Sequence, residues 1–482
     1  MAASQTPRYL RGEAAAGRLW LSAAALAVGC CLVQTHTGAP IPGGVGTLGA
    51  GTATVAIMPA PGAPLAGYGG APRRVFNAVT IPLTLVALGG TCIDPDPSTA
   101  AVLFQPNQGT RDAVRARALV LDNGHHKVAI VKLDTIGVSR KLREDLFQVA
   151  KTIGVTNADF LVLATHTHSG PGAIANHVLS QLSAVDCFSD AMYQRVLAAA
   201  TSALQQADAA RQPALLGIGS ATETDASQNR RGRPAIYDTE VGLVKITTTG
   251  GTPIAALFNF AVHGTTLGAT NMQFSADCMG EMEQVVENGL PGVTAIFTNG
   301  AEGDVAPKHH GVTGLQQEGT IIGGDVVALW STIATKAAID LRGAFQDVTM
   351  PPPEWNPGTC LPVPGTTSTF CDFVPGFPLT VPLNPAWVST TLPFQAVRID
   401  DTVFIAIPGE PITEIGWDLK ARATAKGFAH GFVLGLANDY GGYFTTAAEY
   451  NRAEYEGRST LYGPTTGQVV VESADGVMTQ VQ

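Results

Sequence analysis

The sequence predicts an α/β fold in which mixed, multi-stranded sheets are flanked by helices within a single large domain. Short apolar runs rich in β-branched residues alternate with segments of helical periodicity along most of the chain. Of the 482 residues, 45% are hydrophobic and only 14% are charged, so the chain can bury a large core. Its net charge of −10 argues against nucleic acid as a partner, because phosphate binding requires a surplus of Lys and Arg.

Residues 1–31 are predicted to be an export signal. Three arginines precede an apolar run at 19–29, which is shorter than the ~20 residues of a membrane span but fits the core of a signal peptide. A membrane-anchoring or buried helix is the alternative. The letters LAVGC loosely match a lipobox, so lipidation of Cys30 and ordinary cleavage nearby both stay open. We expect a protein that is secreted, periplasmic or lipid-anchored at the cell surface.

The rest of the chain divides into a linker and one domain. Residues 32–55 are rich in Gly, Thr and Ala and are predicted to be a flexible linker, whereas 56–475 contain no clear break. Apolar runs predict strands in the order 127–134, 160–165, 241–247, 253–262, 293–298, 401–407 and 431–436. Helical periodicity predicts helices in the order 139–154, 190–211, 326–341 and 410–426.

Local signals support several of these elements. Ser139 is a typical N-cap, and Leu142, Leu146 and Val149 recur on one face of the helix that follows it. The pair Gly250-Gly251 predicts a hairpin between the third and fourth strands. Residues 351–394 are dense in proline and are predicted to form a long surface excursion.

Residues with metal or proton chemistry stand where predicted strands end. His166 and His168 follow a strand in LVLATHTHSGPG, and side chains two apart in an extended segment point to one face. His263 ends a strand in IAALFNFAVHG. Because the ends of parallel strands meet at the carboxyl edge of a sheet, we expect these histidines to converge. Structural histidines with satisfied hydrogen bonds are the alternative.

A carboxylate and two phenols extend this set. Glu410 follows Pro408-Gly409, and Tyr443 and Tyr455 lie in the tyrosine-rich segment NDYGGYFTTAAEYNRAEYEG. Two histidines, one carboxylate and a nearby phenol form a plausible catalytic Zn²⁺ site with a position left for water. The alternatives are a carboxylate stabilised by a helix dipole and tyrosines that only pack. We interpret the chain as a metal-assisted hydrolase.

Two loops add further candidates. The backbone N–H groups of the GDVAP loop at 303–307 could hold an oxyanion, or the loop is an ordinary turn in which Asp304 makes an Asx contact. Asn229-Arg230-Arg231 is either an exposed polar loop or a clamp for the substrate.

Together these segments resemble the neutral/alkaline, non-lysosomal ceramidases. The resemblance rests on ATHTHSGPG, FNFAVHG, IPGEPIT, LANDYGGYFTTAAEY and YEGRSTLYGP, and it runs in the family's order from about residue 56 to 465. It implies a zinc-dependent amidohydrolase with one Zn²⁺ that cleaves the N-acyl amide bond of ceramide or a related lipid into a fatty acid and an amine. A protein that acts on such a lipid-like substrate is expected to contact membranes at their surface.

The resemblance also implies roles for individual residues. The zinc ligands would be His166, His263, Glu410 and Tyr443. His168 would stand beside the metal at the reacting amide, and Arg230 and Tyr455 would bind the substrate at its scissile carbonyl, where they can stabilise the oxyanion. Because the leaving amine must be protonated, His168 is also the best candidate for the acid.

Two departures from the family pattern matter. Ala306 occupies the place of a serine in the family's GDVSP loop, and alanine can neither attack a carbonyl nor donate a hydrogen bond. This substitution favours two alternatives: a hydrolase of other N-acyl amides or esters, and a catalytically silent lipid-binding relative. Only residues 465–482 follow the last motif, so we expect no C-terminal immunoglobulin-like domain, which needs ~100 residues.

Some of the seven cysteines are predicted to form disulfides. Cys360 and Cys371 flank a Pro/Gly-rich loop, and an exported protein favours a local bridge between them. Cys92 and Cys187 could form a second bridge, whereas Cys278 is predicted to be a buried free thiol.

We predict that Cys360 and Cys371 are bridged in the exported protein, because a Pro/Gly-rich loop needs a covalent constraint and an oxidising compartment permits one. Mass spectrometry of secreted protein, digested without reductant, should recover the two cysteines in one linked peptide. Recovery of both as alkylated free thiols would contradict the prediction.

Overall fold

The computed structural model describes residues 42–75, 92, 101–356 and 380–482. The strands are β1 Gly44–Thr47, β2 Gly49–Ala56, β3 Arg115–Asp122, β4 Lys127–Leu133, β5 Phe160–Ala164, β6 Gln212–Thr222, β7 Ser227–Asn229, β8 Glu240–Thr248, β9 Pro253–Phe260, β10 Thr294–Asn299, β11 Val305–Pro307, β12 Ala338–Thr349, β13 Glu354–Trp355, β14 Val381–Pro382, β15 Thr391–Ile399, β16 Thr402–Ala406, β17 Glu410–Pro411, β18 His430–Leu434 and β19 Tyr443–Phe444. The helices are α1 Arg140–Thr152, α2 Val178–Ser180 (continued by a π turn, Gln181–Val185), α3 Asp190–Ala209, α4 Asp277–Gly289, α5 Gly311–Thr332, α6 Thr413–Ala425, α7 Ala447–Arg452, α8 Tyr455–Arg458 and α9 Thr466–Gln480, with short 3-10 turns at Asn157–Asp159 and Pro385–Trp387.

Two large sheets form the framework. The larger has the strand order β10-β9-β8-β6-β2-β3-β4-β5 and the smaller the order β1-β12-β15-β16-β18. The pairs β9–β10, β4–β5 and β16–β18 are parallel, and the other neighbours in these two sheets are antiparallel. The prediction of an α/β fold with mixed sheets flanked by helices is thus confirmed.

Side chains that point alternately to the two faces of a strand explain how the layers pack. In β3, Leu119 and Leu121 face a core that also contains Leu341 and Phe404 of the smaller sheet. The intervening residue Val120 faces a second core, which α1 and α3 cover. Both faces of this strand are therefore buried, as in the central strands of layered α/β proteins. Helices α4 and α5 cover the other half of the large sheet.

The predicted linker at 32–55 is wrong where the structure describes it. Residues Gly49–Ala56 form β2, which lies inside the large sheet between β6 and β3. A Cβ atom on Gly51 would stand 2.3 Å from the carbonyl oxygen of Ala207 in α3. Small residues are needed here because the helix packs closely on the strand, and this gives β2 the composition of a linker.

Helix α5 lies further towards the N-terminus than predicted. The predicted helix at 326–341 is wrong beyond Thr332, because Ala338–Thr349 is strand β12 with Ile339 and Leu341 buried between the sheets. Glycines in the first half of α5 weaken its helical pattern in the sequence, so this part of the helix was not predicted. A Cβ atom on Gly323 would stand 2.7 Å from the side chain of Val285 in α4, so the close helix contact requires glycine.

Three further boundaries differ. The predicted helix at 410–426 begins only at Thr413, because Glu410 and Pro411 form the short strand β17. The predicted excursion at 351–394 contains β13 and β14 and ends at β15, which starts at Thr391. Helix α9 was not predicted, and it crosses the predicted domain limit at 475.

The cysteines follow the prediction in part. Cys92 and Cys187 are joined by a disulfide with their Cα atoms 5.4 Å apart, and Cys278 is a buried free thiol. The predicted export signal at 1–31, Cys30 and the predicted bridge between Cys360 and Cys371 lie outside the described residues. Among the helices that the structure describes, none is long and apolar enough to cross a membrane.

A buried ion network connects the large sheet to α4. The ammonium group of Lys132 lies 2.7 Å from Asp134 Oδ1 and 2.8 Å from Glu283 Oε1, and all three side chains are at most 1% exposed. Glu283 also pairs with Arg117 at 3.0 Å and accepts a hydrogen bond from the backbone N–H of Phe297. Each charge is therefore compensated only by its partners in the network.

We predict that Lys132→Met lowers the free energy of unfolding by about 3–5 kcal/mol, because it leaves the buried Asp134 carboxylate without its cation and removes one of the two cations from Glu283. Urea denaturation of the purified variant measures the loss. Arg422→Met is the matched control: Arg422 pairs with Asp418 at the surface, with the two side chains 40% and 48% exposed, and its removal should cost less than about 1 kcal/mol. Equal effects of the two substitutions would contradict the prediction.

Candidate metal centre

The loops that follow β5 and β9 bring the three predicted histidines together. His166 adopts a left-handed backbone conformation with φ of 69°, and its N–H donates to the carbonyl oxygen of Thr135 at 3.0 Å. His168 donates its N–H to the carbonyl oxygen of Gly264, the residue after His263. The ring nitrogens of the three histidines lie within 4.8 Å of one another.

A separate short sheet positions the carboxylate and the phenol. Strands β17 and β19 pair in parallel, with Glu410 directly opposite Tyr443. Glu410 Oε2 lies 3.3 Å from His166 Nε2 and 3.1 Å from His263 Nε2. The Tyr443 hydroxyl lies 3.2 Å from His263 Nε2, so the four side chains predicted to converge do so. His168 stands beside them, with its Nε2 3.3 Å from His166 Nε2.

Backbone carbonyls fix the protonation of the two rings nearest Glu410. His166 Nδ1 lies 2.7 Å from the carbonyl oxygen of Ile136, and His263 Nδ1 lies 2.8 Å from that of Glu302. A carbonyl only accepts hydrogen bonds, so each Nδ1 carries the ring proton. Burial, followed by the charge of Arg230, lowers the pKa of His263 to about 4, which makes this ring neutral at pH 7. Its Nε2 therefore has a lone pair and no proton.

The Nε2 atoms of His166 and His263 both lie against one oxygen of Glu410 at the centre of the site. This Oε2 is buried and has no hydrogen-bond donor among the described residues. Two imidazoles that donate through Nδ1 to carbonyl groups, together with a carboxylate, are typical ligands of zinc, so the residues present fit that metal.

Arg230 and Tyr455 stand next to this cluster. Arg230 donates from Nη2 to the Tyr443 hydroxyl at 3.0 Å and from Nε to Glu456 Oε1 at 2.7 Å. Its guanidinium lies over the ring of Tyr455, 5.0 Å from the ring centre. Tyr455 is 62% exposed, so it lies at the open edge of the site.

The GDVAP loop is held by internal hydrogen bonds. The N–H groups of Gly303 and Val305 donate to the carbonyl oxygens of Pro411 and Glu302, so neither is free to hold an oxyanion. Asp304 Oδ1 accepts from the backbone N–H and the hydroxyl of Thr413, both at 2.8 Å. Ala306 is half-buried on β11 opposite Gln228, and it is not among the described residues that line the cavity below.

Sequence reasoning missed several supporting groups. The Tyr440 hydroxyl donates to Glu410 Oε1 at 2.6 Å and orients the carboxylate. The sequence signal that could have indicated Tyr440 was its position three residues before the predicted ligand Tyr443. The carbonyl groups of Ile136 and Glu302, which hold the histidines, left no signal because any residue supplies a backbone carbonyl.

A cavity of ≈430 Å³ opens onto the cluster. The cavity walls that lie away from the histidines, Glu410 and Tyr443 are mainly apolar. They include Leu179, Trp355, Leu383, Trp387, Val388 and Leu461. A smaller apolar recess adjoins it, lined among others by Ile136, Val138, Leu142, Ile174 and Val185. The cavity therefore combines a polar centre with room for an alkyl chain.

Comparison with known proteins assigns the family. The family model described as "Neutral/alkaline non-lysosomal ceramidase, N-terminal" matches residues 100–321 and 379–472. Neutral ceramidase A of Dictyostelium discoideum is 25% identical over 469 residues, which cover 73% of this chain and 65% of the relative. Neutral ceramidase of Pseudomonas aeruginosa is 26% identical over 393 residues, which cover 66% of this chain and 58% of the relative. The chain thus spans about three fifths to two thirds of the length of these two relatives.

Solved structures agree at the level of the fold. A structure described as a ceramidase complexed with C2 superposes with a TM-score of 0.71 at 21% identity, covering 90% of this chain and 75% of the other. The crystal structure of neutral ceramidase from Pseudomonas aeruginosa gives a TM-score of 0.69, also at 21% identity, with 90% and 74% covered. Since the family model spans well over half of the sequence, this chain belongs to the neutral/alkaline non-lysosomal ceramidase family.

Proposed function

We propose that this protein is an exported, zinc-dependent amidohydrolase that cleaves the N-acyl amide bond of ceramide or a related N-acyl lipid into a fatty acid and an amine. The observation that carries the proposal is the buried cluster in which two histidine Nε2 atoms lie 3.3 and 3.1 Å from Glu410 Oε2, an oxygen without a hydrogen-bond donor among the described residues. Relatives described as neutral ceramidases support the choice of substrate.

One zinc ion would be held by His166, His263, Glu410 and Tyr443. When bound, zinc polarises a carbonyl group and lowers the pKa of water, which is the chemistry that amide cleavage requires. The Tyr440 hydroxyl keeps Glu410 in the orientation that presents Oε2 to both histidines. This support matters because the carboxylate is the group that neutralises the ion's charge.

His168 and Arg230 would act on the substrate itself. The amine half of an amide leaves only when its nitrogen is protonated. His168 lies beside the cluster, and its Nδ1 is buried and has no partner among the described residues. Arg230 is one hydrogen bond from the cluster through Tyr443, so its positive charge can stabilise an oxyanion there. Tyr455, at the open edge, would contribute a hydroxyl to the same oxygen.

The cavity supports a lipid-like substrate. Its apolar walls and the adjoining recess can take an alkyl chain, while the polar cluster takes the amide. We expect the protein to meet its substrate at a membrane surface after export. Hydrolysis of other N-acyl amides or esters is the second candidate, which Ala306 favours. A silent lipid-binding protein is the third, but it would not need the complete ligand set.

We predict that His263→Ala and Glu410→Gln each abolish stoichiometric zinc binding, measured by elemental analysis of the purified proteins. Tyr440→Phe should weaken zinc binding by about 10–100-fold, because it removes a group that orients a ligand. His309→Ala is the matched control, since His309 pairs with Glu318 in a half-exposed loop and should leave the zinc content unchanged. Full zinc occupancy in Glu410→Gln would contradict the ligand set.

We predict that zinc-loaded wild-type protein releases fatty acid from at least one long-chain N-acyl amide. Ala306→Ser should leave this rate unchanged, because Ala306 lies on β11 and is not among the described residues that line the cavity. His168→Ala should lower the rate by roughly 10²–10⁴-fold, the range for a general acid. If wild type shows no turnover on any acyl amide or ester and Ala306→Ser restores it, the serine is indispensable and this protein is a silent relative.

A further inference from the structure

A second set of polar side chains borders the cavity, apart from the metal-type cluster formed by the three histidines, Glu410 and Tyr443. It consists of His177, Ser389 and Asp439, which come from three distant segments of the chain. Ser389 Oγ lies 3.0 Å from His177 Nε2 and donates to Asp439 Oδ2 at 2.8 Å. Ser389 and Asp439 are buried, whereas His177 lines the cavity.

The order of the three groups excludes a nucleophilic serine. In a catalytic triad the histidine lies between the serine and the carboxylate, but here the serine lies between the other two. Asp439 Oδ1 is also occupied, because it accepts the backbone N–H groups of Arg140 and Tyr440 at 3.0 and 2.8 Å. The set is therefore a fixed chain of hydrogen bonds that ends at the imidazole.

This chain fixes the tautomer of His177. The hydroxyl proton of Ser389 is donated to Asp439, so the serine oxygen can only accept from His177. His177 Nε2 must then carry a ring proton, which leaves Nδ1 as the ring nitrogen that can accept a hydrogen bond. No hydrogen bond to this Nδ1 is formed within the described part of the chain, so it is available to a donor from a ligand.

The place of His177 indicates which part of a ligand it meets. His177 lines both the cavity that contains the metal-type cluster and the adjoining apolar recess. Asp439, which anchors the chain, is followed directly by Tyr440, which holds Glu410. An alkyl chain that runs from the cluster into the recess therefore passes this imidazole.

We propose that His177 is a specificity residue whose Nδ1 accepts a hydrogen bond from a hydroxyl group next to the amide of the substrate, and that Ser389 and Asp439 hold it in the accepting tautomer. The proposal rests on the proposed function for the position of the amide. An N-acyl amino alcohol offers two kinds of donor, the amide N–H and its hydroxyl groups. The amide stays at the metal cluster, so a hydroxyl is the donor left for His177.

Two sources of the hydroxyl share this chemistry, the amine half and the acyl half of the lipid. Hydrolysis of three matched amides distinguishes them: one with a hydroxyl on the amine chain, one with a 2-hydroxyacyl group and one with neither. Wild type should prefer one hydroxylated amide over the plain one by roughly 2- to 12-fold in kcat/KM, the worth of one neutral hydrogen bond. His177→Phe, which keeps an aromatic ring but has no acceptor, should show no preference.

A binding measurement keeps this test separate from the proposed function. Dissociation constants for non-hydrolysable urea analogues, with and without the hydroxyl on the amine chain, report the contact even if no amide is turned over. Ser389→Ala should reduce the preference partly, because it frees the ring to adopt the other tautomer. His125→Phe is the matched control at an exposed histidine and should retain the preference in full.

The outcomes are distinct. Loss of hydroxyl preference in His177→Phe, with zinc content unchanged, supports the proposal. A His177→Phe protein that discriminates as wild type does, or a wild type that discriminates in neither turnover nor binding, overturns it. Absence of turnover together with a His177-dependent preference in binding would reject the amidohydrolase and retain the hydroxyl contact.

Discussion

The site depends on two hydrogen bonds from histidine Nδ1 atoms to backbone carbonyls. They turn the Nε2 atoms of His166 and His263 towards Glu410 Oε2, which lies 3.3 and 3.1 Å away. A metal ion would be held by groups that only the folded chain brings together. We therefore expect metal binding to stabilise the folded chain.

The surrounding structure supplies the rigidity that this requires. The large sheet delivers His166 and His263 at the ends of β5 and β9, while the separate pairing of β17 with β19 places Glu410 opposite Tyr443. The GDVAP loop joins these parts, because its Asp304 carboxylate binds the start of α6 and its own backbone bonds hold the carbonyl of Glu302 against His263. A loop in this role is constrained by geometry, whether or not residue 306 carries a hydroxyl.

Sequence reasoning succeeded where side-chain chemistry and periodicity coincide. The α/β class and the strands that end in histidines were predicted from such patterns, whereas the ligand roles of Glu410 and Tyr443 were implied by the family resemblance. It failed where close packing demands small residues. The glycines in β2 gave this strand the composition of a linker, and those in α5 weakened the helical pattern at the start of that helix. It also could not find Tyr440 as the partner of Glu410 or locate the cavity walls, because these depend on which distant segments meet.

The balance of charge at the centre explains why one carboxylate is enough. Burial, followed by the charge of Glu410, raises the pKa of Glu302 well above its ordinary value, which disfavours a second negative charge at the centre. Arg230 is positive but pairs with Glu456, which limits its repulsion of a metal ion. A divalent ion held by two histidines, the Tyr443 hydroxyl and a single ionised carboxylate, Glu410, would keep a net positive charge. That charge is what an amide carbonyl and a developing oxyanion need, whereas a second ionised carboxylate would cancel it.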